Sequence, residues 1–243
     1  MNKEKTSLIV LAATMGNRYG GLKQPESIGP NGETVLDYSI YDAVQAGFER
    51  IIFVISRFFE EEFKEKIASK YTDMVDVEYV YQEVDLVTEE KRNPKRTHLW
   101  GSAQAVLMGE GMIKEPFGVI NAVNFYQRES FQMLYEHLQH LRADENRHIL
   151  VSYRLGNVVP ESGGANRGIC EVDDNGFLLS VPNIPVAGPH TPFAISLASI
   201  ARMARRNRRC FFLSQGLGNP GHHFFIFAGC KIAHASSVSF SSS

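Results

Sequence analysis

A glycine-rich segment near the start of the chain combines residue types that suit phosphate binding. The segment LAATMGNRYGGLKQ, residues 11–24, contains three glycines and two cationic side chains, Arg18 and Lys23. Glycine lets backbone N–H groups come close to phosphate oxygens, and fixed positive charge balances them. The glycines lack the G-x-G-x-x-G spacing of dinucleotide-binding loops, and Lys23 does not directly follow a glycine as in a P-loop. The spacing alone fits a phosphate-binding loop and a structural turn equally well.

The element that must position this loop is the apolar run SLIVLAA, residues 7–13, directly before it. The run is short, contains β-branched residues and ends at turn residues, which is typical of a buried strand in a parallel sheet. Thr34 and Gly47 are predicted to begin and end the first helix. The other predicted strands are residues 51–55, 75–81, 117–122 and 148–153, and the predicted helices are residues 35–46, 59–70, 102–112 and 128–142.

The alternation of strands and helices predicts an α/β fold. We expect a mostly parallel, Rossmann-like sheet with helices on both faces and right-handed crossovers. Such sheets bind ligands outside the carboxyl ends of their strands, where the glycine-rich loop begins. A small β-hairpin is predicted over residues 168–180, because Asp174-Asn175-Gly176 separates two apolar runs.

The pattern weakens after the hairpin. We predict one α/β domain over residues 1–181 and an irregular, basic C-terminal tail over residues 182–243, with a helix over residues 192–206 and a disordered serine-rich end. All 27 acidic residues lie at or before Asp174, so that part carries −8, and the acid-free remainder carries +6. A shifted reading frame or an engineered junction would also produce such a composition, and translation of the coding DNA in all frames tests that hypothesis.

Composition narrows the class of protein. The chain has 243 residues, of which 44% are hydrophobic, enough for a core. It contains no uninterrupted apolar run of about 18 residues, so we predict no membrane partner. Three widely spaced cysteines favour free thiols in a reducing cytoplasm over a disulfide framework.

The cluster RMARRNRR, residues 202–209, suits nucleic acid phosphates, but a solvated helix end is favoured because no aromatic platform accompanies it.

Several motifs follow one another in the order found in one enzyme family. They are the loop of residues 11–24, IGPNGETVLDYSIYD at residues 28–42, Gln82 at a strand end, WGSAQA at residues 100–105, NAVNFY at residues 121–126 and RGICEVD at residues 167–173. Ordered together, they resemble the sugar-phosphate nucleotidyltransferases, or NDP-sugar pyrophosphorylases, over roughly residues 7–181.

This resemblance implies a nucleotide-diphospho-sugar transferase-like fold. It also implies that a sugar 1-phosphate attacks a nucleoside triphosphate and releases pyrophosphate, usually with Mg²⁺. Arg18 and Lys23 would stabilise phosphate charge as catalytic residues. The other implied nucleotide-binding residues are Ala12, Ala13, Thr14, Gly16, Gln82 and Gly101, the last two beside the nucleobase. Alternatively, Gln82 is an ordinary polar residue at a strand end and Gly101 a simple helix start.

Departures from the family pattern bear on catalysis. Thr14 replaces a glycine, and its branched Cβ would crowd a close phosphate. Val123 and Asn124 replace two aspartates, so the candidate metal ligand is Asn124, whose neutral amide is a poor partner for hard Mg²⁺. Residues 181–184, VPNI, lack the charged pair expected for the sugar phosphate, and the acid-free tail lacks a second metal carboxylate. We therefore predict impaired catalysis.

Two further functions stay open at this stage. One is a non-catalytic module that binds a nucleotide or nucleotide sugar, and the other is nucleic-acid binding through residues 202–209. The predicted partners are a nucleoside triphosphate and a sugar phosphate, and a homo-oligomer is compatible with the sequence. The sequence specifies neither the base nor the sugar.

Overall fold

The computed structural model describes residues 5–15, 26–83, 101–141, 148–153, 165–168, 170–174, 177–181, 183–186, 210–213 and 230–234. The described strands are β1 (Ser7–Leu11), β2 (Arg50–Ile55), β3 (Asp76–Tyr81), β4 (Phe117–Asn121), β5 (His148–Ser152), β6 (Ala165–Gly168), β7 (Glu171–Val172), β8 (Leu178–Ser180), β9 (Asn183–Val186), β10 (Cys210–Leu213) and β11 (Cys230–His234). The described helices are α1 (Val35–Ala46), α2 (Glu60–Lys66), α3 (Ser102–Leu107) and α4 (Arg128–Gln139).

Helix α1 has the bounds that its end signals predict. The Thr34 side chain accepts a hydrogen bond from the Asp37 backbone N–H, while the Asp37 carboxylate accepts one from the Thr34 backbone N–H at 2.7 Å. Together these bonds form a capping box that satisfies otherwise unpaired donors of the first turn. Gly47 ends the helix at φ 113°, a left-handed conformation that favours glycine.

Seven strands form one sheet in the order β11-β5-β10-β4-β1-β2-β3, and every pairing between them is parallel. Strand β1 lies between β2 and β4, with Ser7 opposite both Arg50 and Phe117. The carboxyl ends of β1, β2, β3 and β4 therefore meet at one edge. The predicted α/β fold is confirmed.

The sheet is covered on both faces. Leu8 and Val10 belong to a buried cluster with side chains of α1, α2 and α4. Ile9 and Leu11 belong to a second cluster with side chains of α3. Because neighbouring residues of a strand point to opposite faces, the alternation in β1 separates these two clusters. Burial on both faces explains why the parallel strands have continuous apolar runs.

Several predicted elements are longer than the observed ones, by one residue in β3, β4 and β5, by three in α4 and by more in the helices α2 and α3. Strand β1 ends at Leu11, two residues early, and Ala13–Met15 forms a 3₁₀ turn. Helix α2 is flanked by separate 3₁₀ turns at Arg57–Phe59 and Ala68–Lys70. Helix α3 ends at Leu107, and the chain continues in turns through Gly109 and Gly111. Glycine lowers helix stability, which is consistent with the early end of α3.

The predicted hairpin is present as the antiparallel pair β7 and β8. The Asp173 backbone N–H donates to the Phe177 carbonyl at 2.9 Å across its turn. Beside it, β6 pairs antiparallel with β9, which joins segments on both sides of residue 181. Burial raises the pKa of the Cys170 thiol to about 11, so this thiol stays protonated at neutral pH.

The tail contains structure that the sequence does not predict. Strand β10 enters the sheet between β4 and β5, and β11 lies beyond β5. Their runs of four and five residues are about as short as the predicted strand at residues 51–55, but no clear alternation of strands and helices surrounds them in the sequence. The predicted helix over residues 192–206 and the serine-rich end lie outside the described residues. Among the described helices, none has the length and apolar character needed to cross a bilayer.

Candidate functional site

The chain leaves the sheet after β1 in a tight, buried turn. The Ala12 backbone N–H donates to the Val54 carbonyl at 2.9 Å, and the Met15 N–H donates to the Ala12 carbonyl at 2.9 Å. The side chains of Ala12 and Ala13 are buried, whereas Thr14 is exposed at the carboxyl edge of the sheet. The small alanines let the backbone turn close to β2 and leave Thr14 facing solvent.

The predicted phosphate loop continues beyond Met15, the last described residue of this turn. Gly16, Arg18 and Lys23 lie outside the described residues. Their roles, and the phosphate-binding role of Ala12, Ala13 and Thr14, stay predictions.

Gln82 and Gly101, the two residues implied beside the nucleobase, lie in contact. Gln82 directly follows β3 and is buried, while Gly101 is exposed and precedes α3 as its N-cap. The Gln82 Nε2 donates to the Gly101 carbonyl oxygen at 3.3 Å. A methyl group added to Gly101 would meet no described atom within 4 Å, so packing among the described residues does not require glycine here.

A third side chain joins this pair. The Gln82 Nε2 also donates to Gln104 Oε1 at 2.7 Å. Gln104 lies on α3, and its own Nε2 donates to the Met108 sulfur at 3.8 Å, one turn further along the helix. Gln104 is part of the WGSAQA motif, but the sequence assigns it no role. Its spacing of three from Gly101 is the one signal that could have identified it.

The loop after β4 is held by a buried tyrosine. The hydroxyl of Tyr126 accepts the Asn121 backbone N–H at 2.8 Å and also a hydrogen bond from the Asn124 side chain. Burial raises the pKa of Tyr126 far above its ordinary value, although both hydrogen bonds act in the opposite direction. The Tyr126 carbonyl accepts a hydrogen bond from the Tyr153 hydroxyl at 2.9 Å. These contacts hold the loop as a folded unit.

The same loop does not fit Mg²⁺. Asn124 is 8% exposed and its amide hydrogen-bonds Tyr126, whereas the hydrocarbon side chain of Val123 is 54% exposed. Mg²⁺ is a hard ion that prefers carboxylate oxygens, and this loop has none. Within the described parts of the chain, no group of three or more His, Cys, Asp or Glu residues is placed to hold a metal. Asn124 as a metal ligand stays a prediction.

Charged groups reach the carboxyl edge beside Gln82. The Glu83 carboxylate accepts the Arg57 backbone N–H at 2.8 Å and the Ser56 hydroxyl at 3.3 Å. The Arg57 guanidinium lies 4.1 Å from the centre of the Tyr81 ring, in a cation–π contact. Glu83 therefore caps the turn after β2, and Arg57 adds positive charge near the predicted nucleotide site.

A charged cavity lies at the opposite, amino edge of the sheet. It has a volume of about 330 Å³ and is lined by Lys5, Arg50, Asp76, Glu78, Lys114 and Glu115. Arg50 Nη2 lies 2.6 Å from Glu78 Oε2, and its Nη1 lies 2.7 Å from Glu115 Oε1. Lys5 pairs with Asp76. Because these charges balance one another, we assign the cavity to structural ion pairing, and the candidate functional site stays at the carboxyl edge.

Comparison with solved structures gives low-identity matches. UDP-glucose pyrophosphorylase complexed with UDP-glucose is 18% identical, with a TM-score of 0.43, over 76% of this chain and 69% of that chain. CTP:phosphocholine cytidylyltransferase from Streptococcus pneumoniae is 17% identical, with a TM-score of 0.43, over 76% and 67%. HddC from Yersinia pseudotuberculosis is 15% identical, with a TM-score of 0.45, over 76% and 70%.

No curated protein matches the sequence. The model of the nucleotidyl transferase family, in contrast, matches residues 23–176. This match covers more than half of the chain, and it includes the motifs around Gln82, Gly101 and Asn124. The nucleotidyltransferase relationship that those motifs predict is confirmed: the chain belongs to the nucleotidyl transferase family.

Proposed function

We propose that this protein binds a nucleoside triphosphate at the carboxyl edge of its parallel sheet and transfers the nucleotidyl group to a sugar 1-phosphate. The observation that carries the proposal is the contact between Gln82 and Gly101. A buried amide and an exposed glycine there combine a hydrogen-bonding group with space for a flat base that no described atom within 4 Å of the glycine fills. Family membership supports the nucleotidyl transfer.

In this reaction an oxygen of the sugar 1-phosphate attacks the α-phosphorus of the triphosphate. The new P–O bond forms as the bond between the α-phosphorus and the bridging oxygen breaks, and pyrophosphate leaves with that oxygen and its electron pair. The protein contributes mainly positioning and charge stabilisation. We assign the stabilisation of phosphate charge to Arg18 and Lys23. The turn at residues 12–14 and Gly16 would let the phosphates come close to the backbone.

Catalysis by this chain is proposed to be slower than in a member with carboxylates after β4. Val123 and Asn124 offer no negative oxygen to a dication, and Thr14 adds bulk at the phosphate loop. No step is therefore assigned to Mg²⁺. Asn124 would act as a weak neutral ligand only after giving up its hydrogen bond to Tyr126.

A specific observation favours the alternative, a non-catalytic module that binds a nucleotide or nucleotide sugar. The nucleobase pair Gln82 and Gly101 is intact, whereas the loop after β4 uses the Asn124 amide within the protein. Such a chain would still recognise the nucleobase but would not catalyse nucleotidyl transfer. Regulation or assembly would then be its role.

Calorimetry and a turnover assay separate the two functions. Titration with UTP, CTP, GTP and ATP measures nucleotide binding, and pyrophosphate release with Mg²⁺ and a panel of sugar 1-phosphates measures transfer. Binding with turnover supports the transferase, and binding without turnover supports the module. Absence of binding to every nucleotide and to the corresponding nucleotide sugars would overturn both.

The remaining assignments are also proposals. We propose a cytoplasmic protein that uses soluble metabolites, in which residues 1–181 are the nucleotidyltransferase-like domain and the basic residues 182–243 follow it, with β10 and β11 in its sheet. Homo-oligomerisation is testable by light scattering. Nucleic-acid binding through residues 202–209, which lie outside the described residues, predicts an affinity that falls steeply with salt.

A further inference from the structure

The hydroxyl of Tyr153 contacts two polar groups in the segment that follows β4. Tyr153 directly follows β5, and its hydroxyl donates to the Tyr126 carbonyl oxygen at 2.9 Å. The Ser130 Oγ, on α4, lies 2.6 Å from the same hydroxyl. A carbonyl only accepts hydrogen bonds and a phenol has one hydrogen, so Ser130 must donate to Tyr153. The two bonds therefore run in one direction, from Ser130 through Tyr153 to the backbone of Tyr126.

The residue after Tyr126 has a strained backbone. Gln127 has φ 64° and ψ 152°, and it is the only residue other than glycine with a positive φ among those that the structure describes. This conformation is adopted almost entirely by glycine, because a Cβ is crowded there. The Gln127 side chain forms no capping bond with the described first turn of α4, so helix capping does not account for the conformation. Other contacts must hold it.

Tyr153 acts on the peptide group that sets this φ. The Tyr126 carbonyl and the Gln127 N–H belong to one planar peptide group, so rotation of that plane changes the φ of Gln127. The hydrogen bond from Tyr153 fixes the carbonyl of that plane. On the other side of Gln127, its own carbonyl accepts the Ser130 backbone N–H at 3.2 Å. Tyr153 and Ser130 thus hold the strained residue from both sides.

The loop held in this way lies beside the predicted phosphate turn. The Ala122 backbone N–H, directly after β4, donates to the Leu11 carbonyl at 3.1 Å, and Leu11 precedes the turn at residues 12–14. The Tyr126 hydroxyl reaches back to the start of the loop, where it accepts the Asn121 backbone N–H at 2.8 Å. A shift of the Tyr126 backbone would therefore displace the loop relative to the turn.

We propose that Tyr153 is a positioning residue that holds the peptide between Tyr126 and Gln127 in its strained orientation and thereby places the loop after β4 beside the phosphates of the nucleotide. This inference rests on the proposed nucleotide-binding function. The strain at Gln127 favours a different orientation of the peptide, and the hydroxyl of Tyr153 opposes that change. Without the hydroxyl the peptide rotates, the loop moves and the phosphates lose contacts.

Two substitutions, alone and together, test this role. Tyr153→Phe removes the hydroxyl, and Gln127→Gly removes the strain, because glycine adopts this conformation readily. We expect Tyr153→Phe to weaken the binding of the most tightly bound of UTP, CTP, GTP and ATP by roughly three- to tenfold, the effect of one neutral hydrogen bond. In the Gln127→Gly background the same substitution should weaken binding much less, because the peptide has no strain to release.

Calorimetry at a temperature where every variant is folded measures the four affinities. Tyr41→Phe, at an exposed tyrosine on α1, is the control and should bind like the wild type. An unchanged affinity in Tyr153→Phe, or an equal loss in the two backgrounds, would overturn the role of Tyr153. A wild type that binds none of the four nucleotides contradicts the proposed function instead, and NMR then still decides whether Tyr153 holds the peptide.

NMR gives a readout that needs no ligand. A positive φ brings the Gln127 amide hydrogen close to its own α-hydrogen, so the wild type should show a strong nuclear Overhauser effect between them, assigned by its loss in Gln127→Gly. In Tyr153→Phe this effect should weaken as φ becomes negative. A weak effect in the wild type, which requires no variant to fold around a lost hydroxyl, would overturn the proposal, and so would an equally strong effect in Tyr153→Phe.

Discussion

The two edges of the seven-stranded sheet bury polar groups in different ways. At the amino edge, Arg50 forms ion pairs with Glu78 and Glu115, so full charges balance one another inside the protein. At the carboxyl edge, the described buried groups are neutral, such as the amides of Gln82 and Asn124 and the hydroxyl of Tyr126. The charged cavity is thus a structural feature, and the edge with buried neutral groups is the one proposed to recognise a ligand.

The energetic consequences of the two arrangements differ. An ion pair that loses one partner leaves a charge in a place with little water, which is strongly destabilising. A neutral amide that loses one partner costs less, and its orientation rather than its charge is what changes. Substitutions at the amino edge should therefore affect folding, and substitutions at the carboxyl edge should affect mainly ligand binding.

The largest expected effect is at Arg50. The Arg50 side chain is 13% exposed and bonds two carboxylates, so Arg50→Met should lower the free energy of unfolding by about 2–4 kcal/mol, somewhat less than a fully buried pair because Glu78 is partly exposed. Urea unfolding measures the loss. Lys5→Met, which breaks the exposed pair with Asp76, is the control and should leave stability unchanged. A folded Arg50→Met variant with altered nucleotide affinity would break the separation between the two edges.

Tyr126→Phe tests the buried hydroxyl at the carboxyl edge. The substitution leaves the Asn121 backbone N–H buried without its acceptor, and it also removes the partner of the Asn124 amide. We expect a loss of about 1–3 kcal/mol in the free energy of unfolding, together with weaker turnover where turnover is present. Tyr41→Phe, at a tyrosine that is 54% exposed on α1, is the matched control. Equal stability of the two variants would mean that the hydroxyl does not hold the loop.

The absent carboxylate after β4 can be restored with one substitution. Val123 is exposed, so Val123→Asp adds a Mg²⁺ ligand without disturbing the contact between Asn124 and Tyr126. We expect Mg²⁺-dependent pyrophosphate release to rise about tenfold, equivalent to about 1.4 kcal/mol. Val123→Asn, of similar size and without charge, is the control. Addition of Asn124→Asp should raise activity further but lower stability, because an acceptor replaces a donor beside Tyr126. If neither Val123→Asp nor the double variant gains activity, the missing carboxylates after β4 do not limit turnover, and the tail does.

Gly101→Ser tests whether glycine serves the ligand. Serine is at least as good an N-cap as glycine, and its Cβ would meet no described atom within 4 Å, so the melting temperature should not fall. The added atoms would occupy space proposed for the base, and nucleotide affinity should fall up to about tenfold. Gly111→Ser, at another glycine with open space, should leave both quantities unchanged. Undiminished affinity in Gly101→Ser would show that Gly101 is a simple helix start.

Local signals explain which elements were predictable. Thr34, Asp37 and Gly47 act within a few residues of the helix they delimit, and α1 has the predicted bounds. Strand β10 has only four residues, and its place between β4 and β5 depends on segments far away in the sequence. Tertiary pairing, which a single sequence does not display, decided that part of the fold.

The resemblance named residues of the candidate site, and their roles stay predictions. The resemblance identified Gln82 and Gly101 together, and the structure brings them into contact. The contact of Gln82 with Gln104 depends on the orientation of two side chains 22 residues apart, which no spacing rule specifies. Likewise, the sequence shows that Val123 and Asn124 are not acidic, but only the fold reveals that the Asn124 side chain donates a hydrogen bond to the Tyr126 hydroxyl.

The smallest expected effect concerns pH at the amino edge. Burial raises the pKa of Glu115, but hydrogen bonds from Ser7 and Arg50 outweigh it and hold this pKa below its ordinary value of 4.5. The ionised carboxylate therefore contributes stability that is present above pH 4.5 and is lost as the pH falls through the lower pKa of the folded state. Glu115→Gln should make the dependence of melting temperature on pH shallower in this acidic range, whereas Glu110→Gln, at an exposed residue after α3, should not. Parallel curves for wild type and Glu115→Gln would mean that the amino edge is not stabilised through this carboxylate, and the contrast between its ion pairs and the buried neutral groups of the carboxyl edge would then rest on the Arg50–Glu78 and Lys5–Asp76 pairs.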